Sequence, residues 1–244
     1  MRKILAVLAM TAIAFCAHAD DDKEALRKTL EANLPGVTIG AITRLPYHAV
    51  YQVVGNGYNI FYTDEKGEVG FFGKLVDLKS RMDVTGLATE KLRVVDFSTL
   101  PLDKAFVRVK GNGKRKLALF SDPDCPYCRE LEKELDGVND VTIYTFLYPL
   151  SSIHPDARRK AEQIWCSRDR AKAWDGWMLE KKELPAGEAK CATPIADIEA
   201  LAKKYWITGT PGMVFENNKL VPGALKKAEI EALLARPEEA SPAK

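Results

Sequence analysis

The 244-residue chain is short of several things. Its formal net charge is only +2, and it has three histidines and five cysteines. A near-neutral balance removes the electrostatic case for nucleic-acid binding, because no basic excess is there to neutralise phosphates. A zinc site is excluded by the lack of a second Cys-x-x-Cys or a histidine pair at ligand spacing. Past the first residues no stretch approaches the ~20 apolar positions that a membrane-spanning helix requires. Internal repeats and low-complexity tracts are missing too. What is there, 46% hydrophobic and 29% charged residues, excludes a disordered chain, and the length suits one or two domains.

The first nineteen residues stand apart. Arg2 and Lys3 precede an apolar run from Ile4 to Phe15, which closes on Ala17-His18-Ala19 just before three aspartates. This is the pattern of a cleaved secretory signal, too short to anchor the chain in a bilayer. Cleavage after Ala19 would leave 225 residues with 34 basic and 34 acidic side chains, so the +2 belongs to the signal. It would also remove Cys16. A lipid-bearing Cys16 is the competing reading, and the bulky Phe15 before it argues against that. The four remaining cysteines, Cys125, Cys128, Cys166 and Cys191, fit an oxidising compartment and two pairs.

Two regions follow. Leu26, Leu30 and Leu34 at i, i+4, i+8 predict a short helix ended by Pro35-Gly36. Tyr47 to Val54, Tyr58 to Thr63 and Glu68 to Phe72 read as strands joined by turns at Gly55-Asn56-Gly57 and Asp64 to Gly67. His48 falls in the first of these strands as a packing or surface residue. The result is a small α+β module over residues 20–80, which buries too little to be stable alone and should pair with a copy or dock elsewhere. Leu87, Lys91, Leu92 and Val95 predict a linker helix within 81–100, ended by Pro101. Residues 101–244 read as an α/β domain. It has strands at Lys116 to Phe120 and Val141 to Tyr148, and helices from Arg129 to Leu135, Asp156 to Leu179, Ile195 to Tyr205 and Ala228 to Arg236. Met213 to Phe215 and Lys219 to Val221 form a hairpin turned by Asn217-Asn218.

Chemistry concentrates at Cys125-Pro126-Tyr127-Cys128, after a strand and at the opening of a helix. Free N–H groups and the helix dipole at that address favour a thiolate on the first cysteine. Two intervening residues let the second sulfur resolve a mixed disulfide. Pro126 suits the first helical turn, where a missing N–H costs little. Asp122 and Asp124 oppose the thiolate, by an amount that only geometry can set. A c-type haem site would need histidine where Arg129 stands. Cys166 and Cys191, twenty-five positions apart, read as a structural disulfide, with a second redox relay as the alternative. His154 reads as part of a helix approach and not as a catalytic base. Thr210-Pro211 precedes a strand; a cis bond there would turn the Thr210 backbone toward the reactive sulfur and offer an extended chain an edge to pair with.

CPYC at a helix start, Thr210-Pro211 before a hairpin and the helical insertion between them resemble the thioredoxin superfamily. The likeness is closer still to the bacterial periplasmic disulfide isomerases DsbC and DsbG, and it extends to the stretches QIWCSRDRAKAWD and ITGTPGMVFENNKLVPG. The resemblance implies a cystatin-like N-terminal dimerisation module, a linker helix and a thioredoxin-like catalytic domain with a helical insertion. It implies a V-shaped homodimer in the periplasm that rearranges wrong disulfides in misoxidised client proteins. Cys125 would be the exposed nucleophile and Cys128 the resolving thiol. Pro126, Tyr127, Thr210 and Pro211 would support substrate binding, and Cys166–Cys191 would be structural. A DsbD-type membrane reductase would keep the active pair reduced, with no metal or organic cofactor. The Pro-Tyr dipeptide departs from the Gly-Tyr of the best-known DsbC pattern and is shared with DsbG and glutaredoxins. A DsbG-like reductase of sulfenylated cysteines is therefore the nearest alternative. A chaperone that only holds unfolded chains is the alternative of a different class, and a DsbA-like oxidase is disfavoured by the N-terminal module.

Overall fold

The computed structural model describes residues 22–184, 189 and 191–235. The signal-like segment 1–19 with Cys16, part of the loop around Pro185 and Gly187, and the end of the last helix at Arg236 lie outside the described residues. The chain divides into two compact units between Leu92 and Arg93.

In the first unit, residues 22–33 form helix α1. It lies on an antiparallel four-stranded meander: β1 (Ile39–Arg44), β2 (Tyr51–Gly55), β3 (Asn59–Thr63) and β4 (Gly70–Phe72). Leu26 and Leu30 bury their apolar stripe against Ile39, Ile42, Val53 and Phe61, and Leu34, Val37 and Tyr51 pack around them. The first strand was not apparent in the sequence, because Gly40 and a register shift between Ile39 and Ile42 break its alternation. His48 sits in a turn and not in a strand. Val50 N–H bonds back to Tyr47, and Ala49 takes a φ of 53°, so the strand begins only at Tyr51. A small ribbon follows, β5 (Val76–Asp77) with β6 (Met82–Asp83), and then α2 (Val84–Leu92). That helix is shorter than the expected 81–100. Thr85 ties it into its own unit by accepting the Leu75 N–H and bonding the Tyr62 hydroxyl.

The second unit opens with residues 93–97 laid along a hairpin. Val95 N–H bonds Asn218, Leu220 N–H bonds Arg93, and the Asn218 side chain takes the Phe97 N–H at 2.9 Å. Its sheet contains β7 (Phe106–Lys110), β8 (Arg115–Ser121), β9 (Val141–Leu147), β10 (Gly212–Phe215) and β11 (Leu220–Pro222), in the order β11-β10-β8-β9-β7. Only β8 and β9 are parallel. Leu117 to Phe120 are buried throughout, as expected for a central strand covered on both faces. The edge strand β7 inverts the usual pattern: Val107 and Val109 face solvent at 45% and 63% exposure while Arg108 is turned inward, so its sequence does not mark a buried apolar face.

Helices α3 (Pro126–Asp136) and α7 (Lys227–Leu234) flank the sheet, and Leu131, Leu135 and Ile230 pack with Leu117, Leu119, Ile143 and Phe215. The insertion expected as one helix from Asp156 to Leu179 is two, α4 (Ala157–Trp165) and α5 (Arg170–Met178). Cys166 closes the first, and the Asp169 carboxylate caps the second by accepting the Lys172 N–H at 3.0 Å. The last of the inserted elements is α6 (Ile195–Lys204). Ala161, Ile164, Trp165, Trp174, Met178 and Ile195 from these helices form one apolar cluster with Cys125 and Cys128, so the insertion is the wall behind the thiols.

Candidate active site

The site is assembled where β8 stops and α3 begins. The turn after Ser121 folds because Asp122 accepts the Asp124 N–H on its side chain at 2.7 Å and the Cys125 N–H on its carbonyl at 3.2 Å. Cys125 is the N-cap of α3, and Pro126 takes the first helical position, as anticipated for a residue with no N–H to lose. Tyr127 stands out into solvent at 62% exposure. Cys125 does not: only 5% of its surface is accessible, against the expectation of an exposed nucleophile, and Cys128 is fully buried. The reason lies across the turn. The Thr210-Pro211 bond is cis, and Cys125 Sγ lies 3.4 Å from the Thr210 carbonyl oxygen. Gly212 follows because an added Cβ would come within 2.9 Å of Ile207.

The two sulfurs are unlike. The Cys125 thiol is lowered to about 5, chiefly by hydrogen bonding from Cys128, with the Thr210 hydroxyl and the N–H groups of Cys128 and Tyr127 adding to it against the desolvation. Burial pushes Cys128 strongly up, and its hydrogen bond to Cys125 adds to the rise. Cys128 therefore keeps its proton while Cys125 gives its own away. Ser121 Oγ, beside Cys128, and Thr210 Oγ1, beside Cys125, are both buried, and each favours a thiolate on its cysteine. Asp122 N–H points at Cys128 Sγ from 3.5 Å. Such an arrangement can hold one sulfur as a ready nucleophile and a second in reserve.

Cys166 and Cys191 are joined in a disulfide with a Cα–Cα separation of 5.7 Å. Cys166 packs at the margin of the cluster that contains the free pair. Three residues were not singled out in the sequence for a role at the thiols. His154 Nδ1 lies 2.9 Å from the wholly buried Asp122 carboxylate, Lys160 Nζ lies 2.6 Å from Asp124, and Trp177 Nε1 donates to the Pro123 carbonyl at 2.7 Å. Only the two aspartates beside the cysteines hinted that such partners must exist.

Comparison with known proteins agrees with this architecture. The disulfide bond isomerase protein N-terminal domain matches residues 17–86, and the thioredoxin-like domain matches residues 102–236. The chain is 41% identical over 217 residues to a probable thiol:disulfide interchange protein DsbC of Bordetella avium, covering 89% of this chain and 76% of that one. It is 28% identical over 228 residues to the thiol:disulfide interchange protein DsbC of Escherichia coli, with 91% of each covered. A disulfide interchange protein from Neisseria gonorrhoeae, of known crystal structure, shares 44% identity at a TM-score of 0.53, over 55% of this chain and 96% of that one. By its two domains and its sequence, the chain belongs to the DsbC family of thiol:disulfide interchange proteins.

Proposed function

We propose that this protein is a periplasmic disulfide isomerase that works through Cys125 and Cys128. Membership of the family makes it a thiol:disulfide oxidoreductase. The observation that carries the finer reading is the contrast between the sulfurs: Cys125, lowered to about 5 beside the Thr210 carbonyl, against a buried and protonated Cys128.

The Cys125 thiolate attacks one sulfur of a client disulfide, forming the mixed bond and releasing the other client sulfur as a thiolate. A client thiolate then attacks the client sulfur of that bond. Cys125 leaves as the thiolate it began as, and no electrons are gained or lost. If instead Cys128 gives up its proton and attacks Cys125, the client leaves with two more electrons as a dithiol. The protein is left oxidised, and a DsbD-type reductase must return those electrons. The Thr210-Pro211 backbone beside Cys125, with Pro126 and Tyr127, would supply the lip against which a client strand lies. The signal-like segment 1–19 supports export to the periplasm. Phe71, Phe72 and Leu78, exposed at 57%, 71% and 89% in the N-terminal module, support a homodimer formed through that module.

The test is refolding of scrambled ribonuclease by the reduced full-length protein. Wild type restores ribonuclease activity, Cys125→Ser does not, and Cys128→Ser accumulates a mixed disulfide trapped on Cys125. A fully active Cys125→Ser variant refutes the reading. Reduction of small disulfides without ribonuclease recovery moves the assignment to a DsbG-like reductase. Client holding that survives loss of both cysteines moves it to a chaperone.

A further inference from the structure

The turn that carries Cys125 is gripped by the helical insertion at every one of its three preceding residues. Asp122 is bound through its carboxylate by His154 Nδ1 at 2.9 Å and by the Leu150 N–H at 2.7 Å, both in the approach to α4. Pro123 is bound through its carbonyl by the Trp177 indole of α5 at 2.7 Å. Asp124 is bound through its carboxylate by Lys160 of α4 at 2.6 Å, an ion pair whose side chains are 16% and 18% exposed. The prongs are also joined to one another. Lys160 Nζ lies 4.8 Å from the centre of the Trp177 ring, and Arg129, one residue after Cys128, lies 5.7 Å from it while donating to the Trp177 carbonyl.

These contacts answer a question the sequence raises. Two carboxylates within three residues of a cysteine disfavour its thiolate, since like charges resist one another most where water is scarce. A carboxylate that accepts from His154 and two N–H groups, and another paired with a lysine, project much less field onto the neighbouring sulfur. We propose that Lys160 and His154 are positioning residues for the thiol chemistry: by holding and compensating Asp124 and Asp122, they keep Cys125 ionisable in a turn that would otherwise oppose it. Trp177 fixes the turn between them. Neither side chain touches the sulfur; each acts through an aspartate. Lys160 is also within 3.3 Å of Asp156, which keeps its own bidentate partner Arg159 when Lys160 is replaced. The inference rests on Cys125 being the titrating nucleophile, and the experiment separates the two ideas.

The readout is thiolate absorbance near 240 nm, followed against pH in the reduced full-length protein, with Tm measured alongside. Cys125→Ser must remove the low-pH absorbance step; a step that survives overturns the identity of the nucleophile, whatever the clamp does. Lys160→Gln should shift the step upward by roughly one pH unit, the effect of a carboxylate left unpaired beside the thiol. Lys160→Arg keeps the charge and should restore the wild-type midpoint. The pair Asp124→Asn with Lys160→Gln removes both charges and should return the midpoint to the wild-type value or below it. His154→Leu should shift the step in the same direction as Lys160→Gln. A purely structural role would lower Tm in Lys160→Gln and leave the midpoint where it was, and that result overturns the proposal. Should Lys160→Gln not fold, Asp124→Asn alone decides: it removes the carboxylate next to Cys125 and leaves Lys160 in place with Asp156, so the midpoint should fall, and an unchanged midpoint is equally fatal.

Discussion

Arg108 on β7 grips Glu132 on α3 with its two terminal guanidinium nitrogens, at 2.6 and 2.8 Å, one helical turn beyond Cys128. Their side chains are 11% and 1% exposed. Trp174 Nε1 donates to the same carboxylate at 2.8 Å, and Asp175 takes a second bond from Arg108 at 2.9 Å. The wall behind the thiols is thus built around a largely buried ion pair as well as an apolar cluster.

Breaking that pair from one side leaves the buried Arg108 with only the half-exposed Asp175 to balance it. Glu132→Gln should destabilise the protein by about 3–5 kcal/mol, the usual loss when one partner of a buried pair is removed. The triple replacement Arg108→Met, Glu132→Leu and Asp175→Asn should lose clearly less than the single change predicts, since it leaves no charge of the cluster without its partner and costs only the acceptor of the Trp174 indole. Urea unfolding of the oxidised protein measures both. Equal losses would mean that packing and not charge is what the pair supplies.

The lowered Cys125 thiol makes reactivity and stability depend on pH in a stated direction. Alkylation of the reduced protein should rise with a midpoint near pH 5 and be flat above pH 7, because the folded thiol is lowered to about 5 from an ordinary 9.0. A folded value below the unfolded one means that the native state releases its proton first. The stabilisation relative to Cys125→Ser is therefore complete above the unfolded value and is lost as pH falls toward 5. Between pH 5 and 8 Cys128 keeps its proton in both states, so the difference in urea midpoint should grow steadily with pH. A constant difference over that window contradicts a lowered thiol.

Cys166–Cys191 closes a separation of 25 positions. Replacing both with serine should reduce stability by about 3.5 kcal/mol on the loop-entropy relation. Its effect on the site should be indirect, since Cys166 ends the helix that carries Lys160. The variant should still form a mixed disulfide at Cys125, more slowly at pH 6 than wild type. Loss of all thiol exchange in a folded variant would favour a redox relay between the two pairs.

The N-terminal module ends its sheet on β4, an edge strand carrying Phe71 and Phe72 toward solvent. An open edge with aromatic side chains is a pairing surface. Phe71→Glu together with Leu78→Glu should convert a dimer into a monomer in sedimentation velocity. Reduction of small disulfides should persist while ribonuclease rescue falls sharply. A double variant that remains dimeric removes the N-terminal module as the interface.

Much of this protein is local, and local features are what a sequence states by itself. The Cys125 and Cys128 spacing, the Pro126 start of α3, the β-branched run of β9 and the apolar face of α1 each depend on a few neighbouring residues. So do the helix-favouring stretches around the insertion, although the break at Cys166 to Asp169 depends on a cap that is easily passed over. The order of the two domains follows from the same local signals. What only the tertiary structure decided is which distant groups meet. The approach of Thr210 to Cys125 was legible from Thr210-Pro211, but His154 comes to Asp122 across 32 positions, Lys160 to Asp124 across 36 and Arg108 to Glu132 across 24. Nothing in the pattern of side chains specifies those partners, because a buried charge can be satisfied by any donor that packing brings within reach. The same physics hid the edge strand β7 and the irregular β1. Their alternation is set by what covers each face, and that cover is chosen only when the chain closes on itself.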